Sequence, residues 1–180
     1  DNGMSIRPFA KKGETKKTPA FNAGLRGGKN SSDEGGTHVP CFWQWKGVLP
    51  AGQDITALSA HHDYYRTFCA LAGADVPESR VTPIGRSLLP LLADSNADWE
   101  DRNLFVHKGR WKAGARDAHK YKGCAVRTQR WRLVDNVRLY DIAKDPGQLV
   151  DVASEHPEVV KELAAAYDVW WDSTEALLIH

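Results

Sequence analysis

Gly24-Leu25-Arg26-Gly27-Gly28-Lys29, followed by Glu34-Gly35-Gly36 and then by Val39-Pro40, is the stretch on which the reading of this 180-residue chain turns. Two glycines ahead of Lys29 let the main chain come close to an anion while a compact ammonium charge reaches it. The phosphate loop of nucleotide-binding proteins looks similar, but its eight-residue pattern fails twice: Ala23 stands where the first glycine belongs, and Asn30 where serine or threonine belongs. Glu34, set before two glycines, suits a turn-fixing carboxylate that accepts backbone amides better than it suits a general acid or base.

Upstream lies Asp1-Asn2-Gly3, a turn signal. Asp1 and Asn2 offer a carboxylate and an amide oxygen side by side, hard donors suited to Ca²⁺ or Mg²⁺ rather than zinc. Taken alone, such a turn is structural far more often than metal-binding. It has nothing before it to turn from, so a strand is expected upstream. Residues 3–32, rich in Gly, Lys, Thr and Asn, read as a long loop around a site. Arg7, Lys11, Lys12, Lys16 and Lys17 form a run of the kind that is usually a solvated face, but they lie between Asp1 and Lys29, where they would steer a polyanionic substrate.

Composition sets the limits. Hydrophobic residues are 42% and charged residues 26%, as in folded globular chains, so little long disorder is expected. Lys plus Arg (24) balances Asp plus Glu (23), which argues against a general nucleic-acid or membrane-surface binder. No apolar run is long enough to span a membrane. Cys41, Cys69 and Cys124 are widely spaced, cannot all pair within one chain, and are expected as buried thiols.

Downstream, Val39-Pro40-Cys41-Phe42-Trp43-Gln44-Trp45 reads as a buried strand with both indoles on one core face. Asp63 is the expected N-cap of a helix running to Ala72, with Gly73 as its C′ residue. That role makes a metal cluster at His61-His62-Asp63 the weaker reading. Ser87-Leu88-Leu89-Pro90-Leu91-Leu92 reads as a helical turn on the core. Three β-like runs follow, at residues 103–111, at 123–128 continuing through 130–134, and at 137–142; they suggest a small antiparallel sheet. A second basic stretch, Lys108 with Arg110, Lys112, Arg116, Lys120 and Lys122, reads as a solvated face. From Pro157, apolar residues recur at three and four through Trp170 and Trp171, an amphipathic helix expected to cover one face of that sheet.

Four stretches in this order resemble the C-terminal half of the sulfatase family: Asp1-Asn2-Gly3; Gly24 to Lys29 with Glu34-Gly35-Gly36 and Val39-Pro40; Ser87 to Leu92; and Leu139-Tyr140-Asp141 with Asp145-Pro146-Gly147. The resemblance implies an α/β fold like that of alkaline phosphatase. Residues 1–95 would be the C-terminal part of the large catalytic domain. Residues 96–180 would be a small α+β subdomain with an antiparallel sheet covered by the terminal helix.

For chemistry, the resemblance implies that Asp1 and Asn2 ligate one Ca²⁺, completed by carboxylates from an N-terminal half. It also implies that Lys29 holds the sulfate ester, aryl sulfate or sulfated glycan, and stabilises charge developing in the transition state. The relatives are commonly exported. Asn30 in place of a small glycine, Thr37-His38 in place of an arginine, Arg66 in place of proline and Gln148 in place of a glutamate are departures, none at a residue that chemistry requires.

The family's nucleophile, a formylglycine made from Cys or Ser in a C/S-x-P/A-x-R signature, has no counterpart after Cys41, Cys69, Cys124 or any serine. The expectation is therefore an incomplete portion of an enzyme, inactive alone and completed by the N-terminal half. A related phosphate or phosphonate ester hydrolase and a non-catalytic binding or assembly module are the alternatives.

Overall fold

The computed structural model describes Gly3, Ser5, residues 21–77 and residues 84–174. The chain forms two compact units, one built from residues 1–40 with 103–180 and the other from 41–102. These units cut across the division expected at residue 95. The stretch carrying Lys29 belongs with the C-terminal sheet rather than with the segment that immediately follows it.

The first unit contains a four-stranded antiparallel sheet in the order β1 (Leu104–His107), β2 (Cys124–Arg127), β3 (Trp131–Val134) and β4 (Arg138–Asp141). The run expected as one segment from 123 to 134 is two strands. Thr128 turns the chain: its Oγ1 accepts the N–H groups of Arg130 (3.3 Å) and Trp131 (3.0 Å). Asp135 and Asn136 take positive φ (53° and 57°), which short polar side chains tolerate, in the turn between β3 and β4 that the Val137 N–H closes onto Val134 O at 3.1 Å.

Strand alternation gives the sheet two faces. Cys124, Val126, Leu133 and Leu139 face helix α4 (Pro157–Thr174) and pack with Leu163, Tyr167 and Trp171, as expected of the amphipathic helix. The opposite face carries Ala125, Val134 and Tyr140, together with Arg127 and Arg132 at the same alternation. It too is covered, by residues 21–37 and their short helix α1 (Glu34–Thr37). The sheet is therefore a middle layer, which explains why its inner strands are buried almost continuously.

The second unit holds α2 (Asp63–Ala72) and α3 (Leu89–Ala93). Gly73 closes α2 at φ 64°, as expected. Leu88, Leu91 and Leu92 form a small core with Trp43, Leu49, Ile55, Tyr64 and Trp99. Residues 39–45 form no strand, against expectation, because the described strands pair only with one another. Trp43 meets Tyr64 edge-on with ring centroids 5.5 Å apart, but Phe42 is 93% and Trp45 48% exposed, so the two indoles do not share a core face. Asp63 is the first helical residue rather than the N-cap. Its carboxylate accepts the N–H groups of Ala60 (2.7 Å) and Arg86 (2.8 Å) and the guanidinium of Arg102.

Among the cysteines only Cys124 is buried; Cys41 is exposed and Cys69 half-buried, all three being free thiols. No described helix is long and apolar enough to cross a membrane.

Candidate functional site: the Lys29 turn and its support

Lys29 stands exposed at the tip of a tight turn closed by the Ser31 N–H donating to Gly28 O at 2.9 Å. The Ser31 hydroxyl accepts the Gly28 N–H at 3.2 Å, so both legs of the turn are fixed. Asn30 takes φ 71° at the third position, where a type II turn calls for glycine or asparagine. The departure from glycine at residue 30 is thereby absorbed without loss of the turn.

Beneath the turn, main chain packs directly on main chain. Gly35 N–H donates to Arg26 O at 2.8 Å, and Gly3 N–H donates to Gly36 O at 2.9 Å. A Cβ at Gly36 would run into the carbonyl oxygen of Ser31 and come 2.7 Å from that of Gly28. A Cβ at Gly3 would run into the carbonyl of Gly35. Any side chain at either place forces the backbone apart. The Glu-Gly-Gly run is thus read by its fit, and it is a helical turn rather than the simple turn expected.

Glu34 anchors this knot to the sheet. Its side chain is 3% exposed, and its Oε1 accepts Arg127 Nε at 2.6 Å and Arg132 Nε at 2.9 Å. Arg127 and Arg132 are directly opposed across β2 and β3, a like-charge pairing that would destabilise the ladder without a shared counter-charge. Arg132, 2% exposed, also donates to Ser32 O and to Thr37 Oγ1 at 2.9 Å. Gln148 completes the support: its Oε1 accepts the Glu34 N–H at 2.7 Å and its Nε2 donates to Asp33 Oδ1 at 3.3 Å. Only an amide can make both bonds, which gives the departure from glutamate a physical sense.

Burial pushes the Glu34 carboxyl upward, but the hydrogen bond from His38 and the charges of Arg132 and Arg127 prevail and hold it at about 2. The same hydrogen bond raises His38, whose Nδ1 lies 3.3 Å from Glu34 Oε2. Glu34 is therefore structural, as expected, but its partners are guanidinium groups rather than backbone amides.

Sequence reasoning missed Arg127, Arg132 and Gln148. The available signal was two arginines inside apolar strand runs, on the face opposite the one that α4 covers. Asp1, Asn2 and the stretch from Arg7 to Lys17 lie outside the described residues. Gly3, next after Asn2, is the residue that docks on Gly36. Cys124 does not stand as an activated nucleophile: burial pushes its thiol up to about 11.

Comparison with known proteins identifies the family. Residues 29–168 match the family model described as N-sulphoglucosamine sulphohydrolase, C-terminal. The chain belongs to the sulfatase family. It is 28% identical to steryl-sulfatase of Rattus norvegicus over 195 residues, covering 92% of this chain and 33% of that protein. It is 30% identical to N-acetylgalactosamine-6-O-sulfatase of Bacteroides thetaiotaomicron, covering 77% of this chain and 28% of that protein. The crystal structure of Ps i-CgsB superposes with a TM-score of 0.72 at 26% identity, over 84% of this chain and 33% of the other. This sulfatase chain thus spans a third or less of the relatives it matches, and what it aligns with is a sulfatase C-terminal part, with an antiparallel sheet and a terminal helix.

Proposed function

We propose that this chain supplies the sulfate-binding lysine and part of the metal site of an enzyme that hydrolyses sulfate esters of a glycan or aryl group. The observation that carries the reading is the docking of Gly3 on Gly36, which ties the residue after Asp1-Asn2 to the helix that closes the Lys29 turn. Two motifs separated in sequence thereby share one support, within a chain of the sulfatase family.

In this reading Lys29 receives the sulfate group, and its ammonium offsets the charge that builds on the departing alcohol and the sulfuryl oxygens. The rigid turn holds that charge in place before substrate arrives. Asp1 and Asn2 offer hard oxygen donors whose chemistry fits Ca²⁺, although they are two of the six to eight ligands such an ion takes. Calcium, when bound, neutralises part of the sulfate's negative charge. The nucleophile, a formylglycine in this reading, comes from a segment that this sequence does not supply. The names of relatives that act on N-acetylgalactosamine 6-sulfate and on steryl sulfate support a sulfate ester as substrate.

The test measures turnover of 4-nitrophenyl sulfate and of N-acetylgalactosamine 6-sulfate, with calcium, by the chain alone and by the chain joined to a nucleophile-bearing segment. No turnover is expected alone. In the joined enzyme Lys29→Ala should lower kcat/KM by roughly 10²–10³-fold, and Asp1→Ala should weaken calorimetric Ca²⁺ binding. Turnover by the chain alone, or an unchanged kcat/KM in Lys29→Ala, overturns the reading.

A further inference from the structure

The second basic stretch, expected as a solvated face, is folded into a hollow of ≈ 670 Å³ lined by Gly109, Arg110, Trp111, Lys112, Ala115 and His119. The loop that forms it leaves β1 at His107 and returns to β2 at Cys124. His107 clasps both of its ends: Nδ1 accepts the Gly109 N–H at 2.9 Å, which leaves the proton on Nε2 to donate to His119 O at 3.0 Å. Burial lowers the pKa of His107, in keeping with a neutral ring. His119 in turn bonds Ala115 O through Nδ1 at 2.8 Å.

The six cations of the loop divide into two groups. Arg116 lies over the Trp171 ring at 4.3 Å and donates to Trp171 O, and Lys120 pairs with Asp168 at 2.9 Å, so these two fasten the loop to α4. Lys108, Arg110, Lys112 and Lys122 are exposed, and none has an ion-pair partner among the described residues. The nearby carboxylate of Asp117 is already engaged by Arg116 at 3.1 Å. Trp111 sits between the two lining cations, half-buried against His107 (5.1 Å between centroids) and Trp171 (5.8 Å). A fixed indole flanked by a guanidinium and an ammonium matches one ligand chemistry well. The C–H face of a pyranose stacks on the ring, and sulfate substituents meet the two charges.

We propose that this hollow is a binding subsite for a sulfated sugar unit of a glycan chain. The subsite deepens the sulfate-ester reading above and rests on it for the choice of glycan. It differs from a bare basic patch in requiring both the indole and the cations. Single-stranded nucleic acid also stacks its bases on such a ring, so it is the rival that the binding measurement separates from the sulfated sugar.

Binding by the full 180-residue chain is measured by calorimetry with a chondroitin 6-sulfate tetrasaccharide, its desulfated counterpart and a single-stranded oligonucleotide of matched charge. The sulfated tetrasaccharide should bind about tenfold more tightly than the desulfated one. Arg110→Ser/Lys112→Ser should weaken it about tenfold or more, and Trp111→Ala by a similar factor. The double variant alters only exposed side chains, so it stays informative if Trp111→Ala disturbs the packing on Trp171. Unchanged affinity in the double variant overturns the proposal, and so does equally tight binding of the oligonucleotide. The two readings fail separately. Loss of the subsite leaves the Lys29-dependent hydrolysis of 4-nitrophenyl sulfate intact, whereas failure of the sulfatase reading abolishes that hydrolysis and leaves tetrasaccharide binding in place.

Discussion

Each compact unit holds a buried carboxylate that ties distant segments together, Asp63 in one and Glu34 in the other, and the two are held differently. Asp63 accepts two backbone N–H groups, from Ala60 and Arg86, and one guanidinium, from Arg102. Glu34 takes its side-chain hydrogen bonds from two opposed strand arginines, with a histidine beside it. The first node stitches loops to a helix and keeps half of its acceptor bonds when one carboxylate oxygen becomes an amide nitrogen. The second neutralises a repulsion built into the sheet and carries the Lys29 turn on top of it. The turn proposed to receive the sulfate sits over the node whose loss costs more.

Glu34→Gln should therefore give the largest effect, about 3–5 kcal/mol of stability, because it strands two guanidiniums, one of them fully buried. Asp63→Asn, which keeps an acceptor for one of the two backbone amides, should cost about 1.5–3 kcal/mol. Urea unfolding of both variants checks the order, and an equal or larger loss in Asp63→Asn breaks the comparison.

Next in size is Gly36→Ala, expected to cost about 1–3 kcal/mol because the new methyl meets the Ser31 and Gly28 carbonyls. In the joined enzyme it should also depress activity, since the Lys29 turn shifts with those carbonyls. A variant with wild-type stability and kcat/KM would mean that the main-chain packing under Lys29 is slack.

Acid sharpens the contrast further. Glu34 titrates near 2 in the folded chain against 4.5 ordinarily, so its contribution is complete above pH 4.5 and fades as pH falls from there toward 2. The loss of stability over that window should shrink in Glu34→Gln; an unaltered acid profile contradicts the assignment. His38 runs the other way. Its raised pKa makes a contribution that is complete below its ordinary value of 6.5 and disappears as pH climbs through the folded value. Because its side chain is 67% exposed, His38→Ala should cost under about 1 kcal/mol, and that cost should fade as pH rises through the folded value.

Much of this fold was legible. Helix α4 announced itself by three-and-four spacing from Pro157, α2 by its closing Gly73, and the sheet by β-branched and aromatic runs. What could not be read was the second face of the sheet. Alternation marks Arg127 and Arg132 as solvent-facing, and only the arrival of Glu34 from about a hundred residues upstream makes them interior. The reading of residues 39–45 failed for the complementary reason: aromatic composition marks a strand only where an unpaired edge exists to receive it. For the site, Lys29, its glycines and the structural role of Glu34 were visible as a pattern, while the arginine and amide partners of Glu34 gave no local sign, because they come from far along the chain.

The bond between Glu34 and Arg132 spans 98 positions of chain. A contact of that range forms late, because the entropy of closing so long a loop must be met before it is rewarded. During synthesis the Lys29 turn emerges from the ribosome well before the strands that will clamp it. The turn proposed to grip the anion is thus among the last parts to acquire its shape, and binding of sulfate there would double as a report that the later strands have been made and folded.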